Sequence, residues 1–464
     1  MRRVIATILA LGAPILTLAA QTTTLQDAWQ ATVMHDPEYR AAVAARDAGV
    51  QDAARGRALL LPTLQASGAA GRSSVDSVTR GAEFSAPGFG TSNGVEFATD
   101  VNQGTALRWN LNAQQPLYDT ERFAGAAQLR DSARIAKLRF AATEQALRLG
   151  MARRYFDVLQ TRDAADSQRQ LLQATQRSRD EAAARFAAGD ANTLDRNEAQ
   201  ARLDALNADL LAAANAQLRA EAAWSDLSGL DAAAIAALPD DVALATPQAE
   251  PLADWQRRAE QDCPQLAIQT LLLDSADREV DKYGALTGLR VELVAGVGRD
   301  HLTGDGDYGH AQLNTDTTQV GVQASLPLFT GGQRSAQRAQ ARALAHQAEA
   351  QRDATRLTIA AQVRDAWQQL NLAAARLTAL QLAQHSAQER LAATRIGVDS
   401  GDRSTLDLLN AEADAAAARS QWRAARYAWL YARLQLAAAA GGLGDAELRA
   451  ADAAFATPAR AAND

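Results

Sequence analysis

Two stretches of this chain, 121–187 and 335–396, run for more than sixty residues without a proline. Gly is rare in them, and Leu, Ala and Ile recur at helical spacing. At about 1.5 Å per residue, each is a rod on the order of 100 Å long. No compact domain accommodates such a rod; the wall of a coiled coil or a tunnel does. Composition agrees: 47% of residues are hydrophobic but only 5% aromatic, with Ala dominant. That suits long, closely packed helices better than a wide globular core.

The rods belong to a duplication. GDANTLDRNEAQAR, from Gly189, and GDRSTLDLLNAEAD, from Gly401, repeat Gly, Asp and Thr-Leu-Asp in one register, 212 residues apart. LQDAWQATVMHDPEY from Leu25 resembles LADWQRRAEQDCPQL from Leu252, and QPLYD at Gln115–Asp119 matches LPLFT at Leu326–Thr330. WSDLSGL closes the first copy at Leu230 and LAAAAGGL the second at Leu443. Each copy reads as a short helix pair, two strands, one very long helix, a Gly turn and a second helix.

Strict alternation marks one strand of each pair. Leu107, Trp109, Leu111 and Ala113 share one parity, while Arg108, Asn110, Asn112 and Gln114 take the other. Between Val320 and Leu328 the even positions are apolar; the odd ones are Gly321, Gln323, Ser325 and Pro327. Each strand therefore has one apolar and one polar face. The partner strands, near 61–72 and 289–300, alternate less cleanly. The joins, Ser73–Gly104 and HLTGDGDYGHAQLNT from His301, read as exposed loops. The resulting plan is a first repeat over 21–232 (strands 59–72 and 105–118, helical hairpin 121–228) and a linker over 233–249. A second repeat over 250–443 (strands 289–300 and 317–329, hairpin 333–440) and a tail over 444–464 complete it.

The N-terminus has Arg2 and Arg3, an apolar run and then small residues. It reads as a secretory signal peptide over 1–20, cleaved near Ala19 or Ala20, with no Cys nearby to carry a lipid. The single Cys263 cannot form an internal disulfide. Beyond the signal no apolar run reaches the ~18–20 residues of a spanning helix, so entry into a membrane must be through strands. Four strands cannot close a barrel, because single-chain barrels start at about eight. Three chains supply twelve and two supply the minimum eight. A net charge of −7 and pI near 5.4 give no nucleic-acid footprint.

In order, duplication and spacing the chain resembles the TolC family of outer-membrane efflux and secretion channels. The similarity rests on DPEYRAA and CPQLAIQ at helix starts, QPLYD and LPLFTGGQR at strand ends, and GDANTLDRNEAQ and GDRSTLDLLNAE at helix turns. It covers Leu25 to Leu443. It implies a mainly α fold continuous with a membrane β-barrel: a homotrimer with twelve strands in the outer membrane and a long helical barrel in the periplasm. It also implies a periplasmic adaptor and an inner-membrane ABC or RND-type pump as partners; no motif in the residues calls for a cofactor.

Gly189 and Gly401 read as helix stops, and Asn192 and Ser404 as N-caps with Asp195 and Asp407 three residues on. Capping is one role for those carboxylates. By the resemblance, the turn between the last two long helices is the periplasmic entrance. Arg403 matches an Arg that holds the closed state, Asp407 a ring carboxylate, and Asp195 an acid of the other hairpin. Asn410 stands where some members carry a second Asp, and Val398 where a Tyr is found. A carboxylate ring favours cations. Pro116 and Pro327 mark the bend from strand to rod.

Other constellations are weak. GDGDYG, from Gly304, fits a dinucleotide string but lacks the following helix. His35, His301, His310, His346 and His385 show no ligand spacing, so no metal site is assigned. No hydrolase, zinc-protease or P-loop motif is present, and an enzyme finds no support. Trp422, Tyr427, Trp429 and Tyr431 read as packing on the short helices, and Trp109, Tyr118 and Phe329 as a membrane-interface belt near strand ends. The expectation is an export duct for type I secretion or multidrug efflux. The competing reading is an exported coiled-coil structural or adhesion protein, which explains rods but not paired alternating strands. The absent lipid Cys and the DPEYRAA pattern lean toward type I secretion.

Overall fold

The computed structural model describes residues 22–188, 193–240, 244, 250–284, 288–307 and 309–455. The expected signal peptide and Gly189 lie outside them, as does Asn192. The chain divides into two compact units: 46–137 with 268–353, and the remainder.

The first unit is built on a four-stranded antiparallel meander in the order β1 (Thr63–Ala86), β2 (Gly90–Asp119), β3 (Arg290–Gly306) and β4 (Gly309–Ser325). Both joins expected as loops are strand. Ser73–Gly104 extends the first pair to a short turn at Pro87–Phe89, and the second pair closes between Gly306 and Gly309. Register shifts between Ser73 and Val75, between Thr79 and Ala82, and again before Phe84 explain the misreading of the first join; the β3–β4 ladder is unbroken, and there the Gly, Asp and Asn content alone gives a loop-like reading. Each bulge flips the parity, so a long strand loses its alternation in sequence while keeping its ladder. At the other end, β4 stops at Ser325, short of the expected Phe329.

One face of the sheet carries Leu64, Ala66, Gly68 and Ala70 beside Leu107, Trp109, Leu111 and Ala113, then Leu293, Ala295, Val297, Val320 and Val322. Many are open: Leu64 is 69% exposed, Val320 76% and Val322 64%. The opposite face carries Gln65, Ser67, Asn110, Asn112, Gly296 and Gln319. Among the described residues no helix is long and apolar enough to cross a membrane.

The second unit contains the main core. Helix α1 (Leu25–His35) begins with a capping box in which Thr24 and Asp27 satisfy each other's backbone N–H groups. Asp36 is extended, and Pro37 opens α2 (Pro37–Val50), followed in the first unit by α3 (Asp52–Ala58). The second repeat reproduces this break. α6 (Leu252–Asp262) ends at an extended Cys263, and Pro264 opens α7 (Pro264–Asp281). Proline fits there because the first helical N–H has no partner to lose.

The rods are α4 (Thr120–Ala188) and α8 (Gln333–Asp399); each is followed by a shorter return helix, α5 (Thr193–Ser228) and α9 (Thr405–Ala439). Around Tyr155 and Trp224, 1% and 0% exposed with rings 5.7 Å apart, pack Leu25, Met151, Leu159, Trp422, Tyr427, Trp429 and Leu430. Trp422, Tyr427 and Trp429 of the last long helix are thus core, with Tyr431 half-buried against it. The C-terminal helix α10 (Asp445–Asp452) closes the fold: the Asp452 carboxylate accepts from Leu25 N and Gln26 N at 2.7 and 3.0 Å, capping α1.

Candidate functional site

At the end of α8 the chain reverses over Ser400–Arg403. Gly401 has φ +81°, a left-handed conformation that favours glycine, and stops the helix. Asp402 N and Arg403 N both donate to Gly397 O, at 2.8 and 3.0 Å. The next helix starts on a capping box. Asp407 N donates to Ser404 Oγ at 3.1 Å, and Ser404 N donates to Asp407 Oδ2 at 3.0 Å. The Ser404 backbone N–H and then its hydroxyl lower the Asp407 pKa, with the Arg403 charge adding to them. Capping and an exposed carboxylate are therefore one arrangement, not alternatives. Arg403 is exposed and lies so close to Gly397 that a Cβ there would meet its Cγ at 2.8 Å. Asn410 is exposed one turn beyond Asp407, while Val398 is buried. Asp195 sits in the first turn of α5, with its side chain outside the described atoms.

Several polar contacts between the helices escaped the sequence reading. Arg395 Nη2 donates to Glu412 Oε1 at 3.2 Å, and Arg390 pairs with Asp414, so α8 and α9 are cross-braced above the turn. Glu412 is 8% exposed and its Oε2 is unpaired. Opposite charges stand on both sides of Gly401, but their spacing alone does not say which helix faces meet. Farther along, Arg419, Arg423 and Arg426 recur at helical spacing on α9. Arg419 Nη2 and Arg423 Nε each donate to Asp240 at 2.8 Å, while Arg426 Nη2 donates to Pro239 O at 2.6 Å. Burial pushes the Asp240 carboxyl up, but hydrogen bonds from Arg423 and Arg419 prevail and hold it at about 2. This ties the segment between the repeats onto α9. Tyr427 Oη, donating to Asp163 at 2.6 Å, ties α9 to α4.

A second charged cluster sits where β2 becomes α4. Buried Asp119 accepts from Glu121 N and Arg122 N, at 2.9 and 3.1 Å, so the strand's last residue caps the helix. Arg122 reaches Glu292 at 3.1 Å and Arg290 reaches Glu121 at 2.7 Å. Pro116 lies within β2 at a register irregularity, and Pro327 lies beyond β4. Trp109 is paired within the β2–β3 ladder, well away from the strand end assumed for it; Tyr118 is at that end, against Phe123.

The family model for outer membrane efflux proteins matches residues 8–230 and 255–442. The chain belongs to that family. This outer membrane efflux protein is 32% identical to the proteases secretion protein PrtF of Dickeya chrysanthemi over 226 residues, 48% of this chain and 46% of PrtF. The match thus spans about half the length of that relative. Against the outer membrane protein TolC of Escherichia coli it is 24% identical, over 79% of this chain and 76% of TolC. Among solved structures, the outer membrane protein VceC of Vibrio cholerae aligns with a TM-score of 0.70 at 18% identity, covering 90% of this chain and 96% of VceC. Family and fold are those of channel proteins.

Proposed function

We propose that three copies close a twelve-stranded barrel in the outer membrane and form a passive duct from a periplasmic adaptor and inner-membrane pump to the exterior, gated at the Gly401 turn. One observation carries this reading: a membrane-suited sheet with an apolar face, a polar face and two unpaired edge strands, β1 and β4. Such edges and such a face are satisfied together only by closure in lipid. Three Asp407 carboxylates form a ring at the constriction, flanked by Arg403 and Asn410, with Asp195 the acid of the other hairpin. Gly401, and Gly189 in the first repeat, are the hinge turns. Pro116 and Pro327 set the passage from strand to rod. Identity to the proteases secretion protein PrtF favours protein export over small-molecule efflux.

Planar-bilayer recording tests the gate. Asp407→Ala lowers cation preference and Arg403→Ser raises single-channel conductance. If both variants match the parent in reversal potential and conductance, the turn is not the gate.

A further inference from the structure

The duplication specifies how one copy pairs with the next. Leu25 and Leu252 stand 227 residues apart, as do Pro37 and Pro264; the same offset carries Gly71-Arg72 of β1 onto Gly298-Arg299 of β3. An offset of 211 carries Pro116-Leu117 onto Pro327-Leu328, and hence β2 onto β4. These two offsets can be checked inside the sheet. β1–β2 pairs Gly68 with Trp109, Ala66 with Leu111 and Leu64 with Ala113. Shifted by the offsets, these become Ala295 with Val320, Leu293 with Val322 and Val291 with Ala324, which are the pairs found in β3–β4.

One seam has no counterpart in the single chain. β2–β3 joins the first repeat to the second, and its equivalent joins β4 to the β1 of another copy. We infer that β4 and β1 of adjacent copies pair in the register of β2–β3, with Val320 opposite Arg72, Val322 opposite Ala70 and Ala324 opposite Gly68. This follows from Trp109 with Arg299, Leu111 with Val297 and Ala113 with Ala295. The ladder then runs on through Leu326 opposite Ala66 to a bulge after Pro327, as β2–β3 has its irregularity after Pro116. The faces agree, since Val320, Val322, Ala70 and Gly68 all lie on the apolar side.

An independent feature of the chain supports the same seam. β2 remains strand through Leu117, Tyr118 and Asp119 because β3 pairs with it. The equivalent Leu328 and Phe329 are not strand, and they are 91% and 88% exposed against 50% and 43% for Leu117 and Tyr118. The same short motif is ordered as strand where its partner is in the chain and left open where its partner is another copy. The apolar pair Leu328 and Phe329 is covered, and β4 extended, when the neighbour's Thr63–Ala66 arrives.

This inference rests on the assembled-barrel reading, and disulfide trapping separates the two. In a Cys263→Ala background, Val322→Cys is combined with Ala70→Cys, or with the slipped partners Gly68→Cys or Arg72→Cys. Gln323→Cys with Ala69→Cys gives a second pair on the polar face. Opposed residues meet disulfide geometry, whereas partners two residues off are too far apart. The register predicts covalent trimer bands for the two matched pairs and their loss for the slipped ones. A particle that is trimeric by mass but crosslinks only through a slipped pair, or through none, overturns the register and leaves the assembly standing. A particle with no oligomer removes both.

Discussion

Gly401 and Asp407 show how much the turn asks of single residues. Among the described residues nothing lies within 4 Å of a Cβ added at Gly401, so Gly401→Ala is opposed there by the left-handed backbone, at about 1 kcal/mol. Faster amide exchange confined to the residues around 397–408 is the expected outcome. The lowered pKa of Asp407 means that its ionised, capping form persists as pH falls below the ordinary Asp range and is lost only as pH drops through that lowered value. Cation preference in bilayers therefore survives mild acid. Asp240 follows the same sign. Its pKa of about 2 lies below an unfolded value of ~3.9, so the stabilisation it contributes is complete above that value and fades as pH falls toward 2. Asp240→Asn removes it at every pH. Amide exchange over 232–240 at neutral pH reads the loss, and exchange equal to the parent would show that the three arginines do not hold this segment.

Helix hairpins and strand hairpins were unequally legible. The rods, their turn and the capping box at Ser404 follow from local rules, because Gly, N-cap and N3 residues act within a few positions. The strands were half read: bulges hid the far part of the first pair and Gly- and Asp-rich composition that of the second, and the end of β4 was placed on alternation that persists to Leu328 although pairing stops at Ser325. Alternation reports a face, but a strand needs a partner. The cross-braces were unreadable for a different reason, since Arg395–Glu412 and Arg423–Asp240 depend on which helix faces meet. The first brace carries a test. Arg395→Ala leaves the Glu412 carboxylate buried and unpaired, which destabilises the hairpin by about 1–2 kcal/mol. Adding Glu412→Gln recovers part of that loss, because the uncompensated charge is gone. Thermal denaturation of the two variants checks this, and a double variant no better than the single would deny the brace its role.

For the whole molecule, the tertiary core and the sheet make opposite demands. Trp224, Tyr155 and their neighbours bury their rings within one chain, whereas Leu64, Val320, Leu328 and Phe329 stay exposed. An exported coiled-coil adhesin shares the first property but has no use for a twisted ladder with one apolar face. Fractionation distinguishes them, with heat-modifiable, detergent-extracted outer-membrane material expected from a duct. The most direct measurement is the native mass of the mature protein extracted in mild detergent. The account predicts a particle of three chains that falls to single chains on boiling. A monodisperse single chain that stays in solution without detergent would contradict it.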